Sequence, residues 1–376
     1  MEPVKGFRDF SGEEARKIAE IKKIITGVFE AYGFEPVETP IIEQEEFVKG
    51  SDSGDEAVSD IFKLQDKGKR NLALRYEFTF QLKRLAKNKK LPYKRYQIGE
   101  VFRDEPVSAN RLRQITQCDV DTIGSTIKDE AEILALTNEL FEKLGVKPII
   151  LINNRKLLNE ILDDVGLKEK DKKQVLREID KYDKIGEKQV RTNLKKLKAE
   201  KIIDVLKQGE KYFKKFPAYK EIISLMEYCK IYGIKPLFAP TVVRGLSYYN
   251  GNVFEVKAKG IRETLAGGGS YMFNGVQCTG ISFGVERVSV VADIRYDKEK
   301  TLVISLGQDK EAIKLAQRLR AQGKTASIYY GKPSKALDYA NSYGFGKVIF
   351  VGEKEVKAGK FKVKDMKTGK ESVLQL

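Results

Sequence analysis

The chain carries Phe102-Arg103-Asp104-Glu105, followed after a short loop by Arg111-Leu112-Arg113-Gln114-Ile115-Thr116-Gln117-Cys118-Asp119-Val120-Asp121. These stretches predict two strands, residues 93–105 and 112–123, that face each other across the loop. Arginines on the first strand and at the tip suit a polyphosphate, because guanidinium groups keep their charge and match phosphate oxygens. Strand alternation puts one set of side chains on a common face: Ile115, Gln117, Asp119 and Asp121. We expect this face to bind a polar ligand; a lattice of structural salt bridges is the alternative.

A second polar group precedes this hairpin, in Arg75-Tyr76-Glu77-Phe78-Thr79. Residues 72–79 are predicted to be a strand, which would point Glu77 and Thr79 to one face. A carboxylate beside a hydroxyl can receive an ammonium group. The alternative is an edge strand with ordinary surface Glu and Thr side chains.

Three glycine-bearing stretches follow downstream. Arg244-Gly-Leu-Ser-Tyr-Tyr-Asn-Gly251 places an arginine and two phenols in a turn, or forms a tyrosine-rich hairpin. Ala266-Gly-Gly-Gly-Ser-Tyr271 lets backbone approach a ligand closely, or makes a tight bend. Gly280-Ile-Ser-Phe-Gly-Val-Glu-Arg287 opens a helix; its glycines suit packing on a sheet, and Arg287 is available to a ligand.

Composition limits the chemistry of the 376-residue chain. It has no histidine, so catalytic couples and metal sites that need imidazole are excluded. Its three cysteines are far apart, which excludes a CxxC zinc knuckle and fits a reducing compartment. No P-loop and no G-x-G-x-x-G after a strand is present. No apolar run is long enough to span a membrane, and the first residues lack an apolar signal core.

The net charge is +16, which suggests a polyanionic partner such as nucleic acid or, alternatively, a solvated lysine-rich surface. The last 77 residues hold 16 Lys and Arg against 7 Asp and Glu. More than half of the excess charge therefore lies in about a fifth of the chain. This asymmetry favours the nucleic-acid interpretation.

Four segments are predicted along the chain. Residues 1–150 and 236–299 combine strands and helices into a core, and residues 151–235 are a lysine-rich helical insertion. Residues 300–376 show a βαβαβ order, which favours a mostly parallel sheet. Strand signals in the second core segment cover residues 241–243 and 252–256.

Together, these motifs resemble class II aminoacyl-tRNA synthetases. Phe102-Arg103-x-Glu105 is similar to their motif 2, the stretch from Gly280 to Arg287 to motif 3, and the segment around Pro40 to motif 1. Arg244-Gly-Leu-Ser-Tyr-Tyr249 resembles the R-G-L-D-Y-Y signature of histidyl-tRNA synthetases. Other stretches also resemble that family: Lys5-Gly-Phe-Arg-Asp-Phe10, Gln117-Cys-Asp-Val-Asp121 and Gly-Gly-Gly-x-Tyr271. The wording of Gln117-Cys-Asp-Val-Asp121 is closer to archaeal and eukaryotic members.

The resemblance implies an α+β fold: an antiparallel-sheet catalytic core with a helical insertion, plus a C-terminal α/β anticodon-binding domain. It also implies a histidine site, with Glu77, Thr79 and Gln117 at the α-ammonium group and Asp121 at the imidazole. Three phenols would surround the ring: Tyr248, Tyr249 and Tyr271. The catalytic residues Arg103 and Arg244 would contact the α-phosphate of ATP. The remaining ATP-binding residues would be Glu105, Arg111, Ile115 and Arg287, the last stacked over adenine.

The implied reaction joins histidine to tRNA(His) in two steps. The histidine carboxylate attacks the α-phosphorus of ATP, and the adenylate then reacts with the terminal ribose, so no protein base is needed. ATP is expected to bring Mg²⁺, and no protein-bound zinc is expected. The resemblance further implies a cytoplasmic homodimer, joined through the motif 1 region and not bound to a membrane.

Some positions differ from the family pattern. Ser247 replaces the aspartate of the signature, and Ser270 and Met272 interrupt the usual G-R-Y-D. Two alternatives stay open at this stage. One is a regulatory paralogue that senses histidine for an ATP phosphoribosyltransferase, although such proteins generally lack the anticodon-binding domain. The other is a lysine-rich RNA-binding protein without catalysis, which would not require the polar face of the hairpin.

Overall fold

A computed structural model describes residues 1–49, 60–108, 111–244, 248–261, 263–294 and 299–375, without the side chain of Lys83. The Ser247 difference lies outside these residues. The chain divides into two compact units, Met1–Ile294 and Arg295–Leu376. The division into four segments with boundaries at 150, 235 and 299 stays a prediction.

The first unit begins with the elements that frame the hairpin. In chain order they are α1 Gly12–Ala31, β1 Glu35–Pro36, β2 Ile42–Gln44, α2 Glu45–Lys49, β3 Lys63–Gln65, β4 Asn71–Leu74, α3 Leu82–Leu85, β5 Tyr93–Phe102, β6 Gln114–Ile123, α4 Ile127–Lys143 and β7 Pro148–Asn154. Helix α4 begins after Thr126, which forms a capping box with Asp129. The S-x-x-E pattern at Ser11 predicts a similar cap for α1, but Ser11 makes no side-chain cap bond there.

Helices then dominate up to residue 231, as the lysine-rich pattern predicts. They are α5 Arg155–Asp164, α6 Glu169–Ile179, α7 Tyr182–Ile185, α8 Glu187–Lys195, α9 Ile202–Leu206, α10 Glu210–Phe213 and α11 Tyr219–Ile231. The rest of the unit returns to the sheet, with β8 Leu237–Phe238, β9 Tyr249–Ala258, β10 Ala266–Phe273, β11 Val276–Gly284 and helix α12 Val285–Val291.

The largest sheet in the described part of the chain has eight strands, in the order β1-β5-β6-β11-β10-β9-β7-β8. Its inner strands pair antiparallel, whereas the edge strands β1 and β8 pair parallel to their neighbours. One face carries apolar side chains such as Cys118, Val120 and Phe283, which pack on α1 and α4 in the main core. The opposite face is therefore left to carry polar side chains.

The second unit has the elements β12 Lys300–Ser305, α13 Asp309–Ala321, β13 Thr325–Tyr330, α14 Pro333–Ser342, β14 Lys347–Val351, α15 Glu353–Ala358, β15 Lys360–Asp365 and β16 Glu371–Gln375. Strands β13, β12 and β14 are parallel, which confirms the predicted βαβαβ order. The sheet continues antiparallel through β15 and β16, a pair that the sequence pattern did not reveal.

Two of the predicted strands differ most from the structure, since one is much shorter and the other is absent. The strand predicted for residues 72–79 ends at Leu74, because the next residue, Arg75, is buried and donates to the backbone oxygens of Glu100 and Thr39. Residues 241–243 form no strand, although Val242 and Val243 are buried. The Asn153 side chain donates to the carbonyls of Pro240 and Val242 there, so side-chain bonds replace a strand ladder.

Candidate active site

The candidate site lies on the polar face of the eight-stranded sheet, where the register of three strands brings it together. Asp121 on β6 lies opposite Arg95 on β5 and Gly280 on β11, and Asp119 lies opposite Gln97 and Ser282. Since directly opposite residues share a face, these side chains converge. The predicted common face of Gln117, Asp119 and Asp121 is thereby part of one site.

Asp121 is the centre of a buried polar group. Its Oδ2 lies 2.7 Å from Nη2 of Arg95, and the Tyr271 hydroxyl donates to Oδ1 at 2.6 Å. The Arg95 side chain has no solvent exposure. Among the described residues its nitrogens make no well-aligned hydrogen bond, and neither does Asp121 Oδ2. Buried polar atoms normally have partners, so this group is prepared for a ligand with both a donor and an acceptor.

A second chain of hydrogen bonds runs along the same face. Arg103 Nη2 donates to Gln117 Oε1 at 2.8 Å, and Gln117 Nε2 donates to Asp119 Oδ1 at 2.8 Å. Arg103 Nε also donates to the backbone oxygen of Tyr76 at 3.1 Å, which ties this chain to the segment that carries Glu77. Arg103 of the hairpin and Glu77 of the preceding loop therefore belong to the same site.

The carboxylates of this site are crowded. Burial raises the pKa of Glu77 to about 8, with Asp119 as the next cause, while the charge of Arg103 acts against the shift. Burial also raises the pKa of Asp119 to about 6 and raises the pKa of Asp121, and Arg95 opposes both shifts. A positively charged ligand group would lower the pKa of these three carboxyl groups and would therefore favour their ionised forms.

Tyrosine rings close one side of the site. The rings of Tyr248 and Tyr249 lie 4.8 Å apart, and those of Tyr248 and Tyr271 lie 5.5 Å apart. Burial raises the pKa of all three phenols. The phenols stay protonated at neutral pH, so they offer flat apolar faces and hydrogen-bond donors to a ring.

The Arg244 side chain contacts residues of β9 and β10. Its Nη1 donates to Glu255 Oε1 at 3.2 Å, and its buried Nε has no partner among the described residues. Its backbone φ is 60°, a left-handed conformation that is uncommon for arginine. The guanidinium group lies over Gly267, where a Cβ atom would overlap it. At least one of the three glycines therefore makes room for an arginine.

Four arginines surround the outer part of the site. Partial desolvation lowers the pKa of Arg287, and the charge of Glu263 opposes this shift. The positive charges of three other arginines lower the pKa of Arg287 further: Arg103, Arg111 and Arg244. Arg287 Nη1 donates to the backbone oxygen of Thr264 at 3.0 Å, and Arg111 forms an ion pair with Glu105. Positive groups that repel one another in this way form a receptor for a polyanion.

The structure brings most of the predicted residues together, but not all in the predicted way. Thr79 does not share a strand face with Glu77; its backbone oxygen accepts from Leu82 at the start of α3. Ile115 lies beside Gly284, at a distance of 3.2 Å from a Cβ built there. Glu105 and Arg111 lie at the tip of the hairpin and pair with each other.

The sequence does not reveal two further residues of the candidate site. Arg95 was not recognised because its role depends on strand register; the available signal was its period-two spacing from Gln97 and Gly99. Glu286 was assigned only to a motif, yet its carboxylate accepts from the backbone nitrogen of Thr116 at 3.0 Å. It thereby holds the start of β6 beside α12.

Comparisons with known proteins point to one family. A family model described as histidyl-tRNA synthetase matches residues 6–288, and one described as anticodon binding domain matches residues 300–376. Histidine–tRNA ligase 1 of Bacillus cereus ATCC 14579 is 33% identical over 99% of this chain and 96% of its own. Histidine–tRNA ligase 2 of Shouchella clausii is 34% identical over 98% and 96%. Both relatives are bacterial, so they add no support to the archaeal and eukaryotic likeness.

Solved structures show the same fold. The crystal structure of histidyl-tRNA synthetase from Nostoc sp. PCC 7120 has a TM-score of 0.85 at 24% identity, and covers 100% of this chain and 96% of its own. A Bacillus halodurans structure, titled ATP phosphoribosyltransferase regulatory subunit/histidyl-tRNA synthetase, has a TM-score of 0.78 at 23% identity, with coverages of 93% and 97%.

The fold and the site define a class II aminoacyl-tRNA synthetase, with an antiparallel-sheet core and a C-terminal α/β domain. The family match covers most of the chain, and the relatives match along nearly its whole length. The chain belongs to the histidyl-tRNA synthetase family.

Proposed function

We propose that the chain activates L-histidine with ATP and transfers it to tRNA(His), as a histidine–tRNA ligase. The observation that carries this proposal is the buried group of Asp121, Arg95 and Tyr271 beside a cluster of arginines on one sheet face. The first suits a polar ring and the second a polyphosphate. The names of the full-length relatives support the same reaction.

In the histidine site, Asp121 accepts a hydrogen bond from one imidazole nitrogen. The unpartnered N–H groups of Arg95 are suited to donate to the other nitrogen, with Tyr248, Tyr249 and Tyr271 around the ring. Glu77, Thr79 and Gln117 receive the α-ammonium group. An amino acid that lacks polar ring edges leaves buried groups unpaired, which is a strong basis for discrimination.

In the ATP site, Arg103 and Arg244 bind the α-phosphate, and Arg287 lies over the adenine. Glu105, Arg111 and Ile115 line the adenine side of the site, at the hairpin tip and on β6. Mg²⁺ arrives with ATP as part of the substrate. We expect the phosphates to hold this metal with few protein ligands. That the enzyme needs no zinc stays a prediction.

The reaction follows from this placement. The histidine carboxylate is already ionised at neutral pH, so it attacks the α-phosphorus without a protein base and pyrophosphate leaves. Arg103 and Arg244 stabilise the negative charge that develops on the α-phosphoryl oxygens. Fixed guanidinium groups contribute most in a partly desolvated site, where water screens them least.

The second unit supplies the binding surface for the tRNA, in keeping with its net charge of +9 and its family match. We further propose a homodimer joined at the motif 1 region. Ile41 and Ile42 are 42% and 50% exposed there, just before and at the start of β2 in the small sheet formed by β2, β4 and β3. Within the described residues no helix has the length and apolar character to cross a membrane. We place the enzyme in the cytoplasm with the rest of translation.

Both alternatives are less well supported. A regulatory paralogue would not need the C-terminal domain or Arg103, and this chain has both. A non-catalytic RNA-binding protein would not need the Arg95–Asp121–Tyr271 group. The deciding experiment is ATP–pyrophosphate exchange with each amino acid in turn. We expect exchange with histidine; its absence in folded protein would exclude the ligase, and exchange with another amino acid would exclude the specificity.

A further inference from the structure

Aromatic rings form a continuous cluster on the second unit, among residues that the candidate active site does not include. The Tyr339 ring lies 5.3 Å from that of Tyr329, 4.5 Å from that of Tyr343 and 5.9 Å from that of Phe345. Tyr339 and Tyr343 are four residues apart around the end of α14, so they occupy one side of the helix. We call Tyr329, Tyr339 and Tyr343 the tyrosine ladder.

The ladder is open to solvent although its base is buried. Tyr343 is 58% exposed and Tyr339 is 37% exposed, whereas Phe345, Ala336 and Ala340 beneath them are buried. Tyr329 packs against the core of the unit, whereas Tyr339 and Tyr343 do not belong to that core. The outer rings therefore present flat faces beyond what the core of the unit requires.

Positive charge lies around these rings. The Lys300 ammonium group is 5.0 Å from the centre of the Phe345 ring, and it donates to the backbone oxygen of Tyr343. Lys335 is exposed and precedes Tyr339 by one helical turn. Lys332, just before α14, is exposed too. Asp338 is the acidic residue of this helix, but it points about 100° away from Tyr339 around the axis.

Exposed tyrosine rings within a basic surface match unpaired nucleotides. Bases stack on aromatic side chains, and lysines bind the phosphates between them. A membrane surface or an acidic peptide would use the lysines but gain little from the exposed ring faces. The charge of the whole unit, +9, complements an RNA strand.

We infer that the tyrosine ladder is a stacking surface for unpaired bases of the RNA substrate, with Lys335 beside it as a phosphate contact. The inference rests on the proposed function, because the RNA concerned is the tRNA that the chain would charge. The bases that the ladder would bind are those of a single-stranded loop of this RNA.

The experiment uses the full chain with Tyr343→Leu, Tyr343→Phe and Tyr330→Leu. Tyr330 is the matched control, because it is 56% exposed in the same unit but alternates to the other face of β13 from Tyr329. The probes are a tRNA(His) transcript, a hairpin with its anticodon loop, and a fully paired duplex of the same stem. Binding is followed by fluorescence titration, and histidine-dependent ATP–pyrophosphate exchange is measured in parallel.

We expect Tyr343→Leu to bind transcript and hairpin about tenfold more weakly than the parent, since one stacked base is lost. Tyr343→Phe and Tyr330→Leu should bind like the parent, and exchange should be unchanged in all variants. Unweakened binding by Tyr343→Leu, an equal loss in Tyr330→Leu, or equal affinity for hairpin and duplex would each overturn the inference. Absent exchange in the parent would instead reject the proposed function, while the hairpin titration would still test the ladder.

Discussion

The carboxylate of Asp121 and the guanidinium group of Arg95 lie 2.7 Å apart, on directly opposed residues of two strands, and both side chains are buried. A buried ion pair is costly to break from one side, because the remaining charge is left without a counter-ion. Here the pair also leaves N–H groups of Arg95 unpartnered within the described residues, towards the proposed imidazole site. The pair therefore combines a structural requirement with a role in recognition, and the two can be separated by mutation.

Replacing one member of this pair should destabilise the protein, and replacing both should restore it. We expect Arg95→Met and Asp121→Asn each to cost about 3–5 kcal/mol in the free energy of unfolding. The double variant should recover most of that loss, yet all three should lose histidine-dependent exchange by more than about 100-fold. Denaturant unfolding and exchange assays measure the two effects.

Lys94→Met is the matched control for this pair. Lys94 is next to Arg95 on β5 but points to the other face, where it pairs with Glu132 in partial contact with solvent. Its loss should cost no more than about 1 kcal/mol and leave exchange intact. A double variant that activates histidine normally would show that the pair serves only the fold.

Two glycines are predicted to leave the space that a functional side chain occupies. A Cβ at Gly280 would overlap the Asp121 carboxylate, and a Cβ at Gly267 would overlap the Arg244 guanidinium group. Gly280→Ala should therefore raise the KM for histidine, whereas Gly267→Ala should mainly lower kcat. Gly27→Ala, with open space at its Cβ within α1, should change neither. Identical kinetic defects in the two site variants would contradict this assignment.

Arg244→Ala tests the α-phosphate contact directly. The side chain bonds to Glu255 but does not belong to the hydrophobic core, so we expect the variant to fold. The rate of adenylate formation should fall by about 100-fold or more, because a fixed charge at the reacting phosphoryl group is lost. Arg244→Lys should recover only part of the rate, since an ammonium group lacks the planar fork. Unchanged adenylation in Arg244→Ala would make the arginine structural.

The sequence predicted the hairpin and the C-terminal order because both depend on local alternation and helical spacing. It also predicted the shared face of Gln117 and Asp121, which follows from period two alone. The role of Arg95 could not be predicted in the same way, because it depends on which residue of β5 lies opposite Asp121. Register is set by contacts between strands and turns, not by either strand alone.

The glycines illustrate the same limit. Their sequence indicated close approach or a tight bend, but not what approaches. The fold places Arg244 over Gly267 and the Gly280 carbonyl beneath Gly268, so each glycine accommodates a different neighbour. The strand predicted through Glu77 failed for a related reason: Arg75 is buried by partners distant in the chain, Thr39 and Glu100.

Glu130 is predicted to make stability fall as pH rises. It is 7% exposed and accepts hydrogen bonds from Ser270 and Asn252, yet burial raises its pKa to about 7. The folded state therefore holds a proton that the unfolded state releases between about pH 4.5 and 7, and this contribution is lost as pH increases through that window. Glu130→Gln should be more stable than the parent by roughly 2–3 kcal/mol at pH 8 and similar to it at pH 4.5.

The control for Glu130 is Glu142→Gln, an exposed carboxylate on the same helix. It should not alter the pH dependence of unfolding. Thermal unfolding of the three proteins across this range provides the comparison. A Glu130→Gln variant that is less stable than the parent at every pH would mean that the ionised carboxylate is needed for its hydrogen bonds.

Histidine binding should strengthen as pH rises, through Glu77. Burial raises the pKa of this carboxyl group to about 8, so most molecules carry it protonated at pH 6.5. The α-ammonium group of histidine favours the ionised form, and binding then releases a proton. Between pH 6.5 and 8 the KM for histidine should fall by roughly tenfold in the parent. In Glu77→Gln the KM for histidine should be high at every pH in this range and should no longer depend on pH through this carboxyl group. Since the imidazole of the substrate titrates identically with both proteins, a pH profile shared by the two would assign the effect to the substrate and remove Glu77 from ammonium binding.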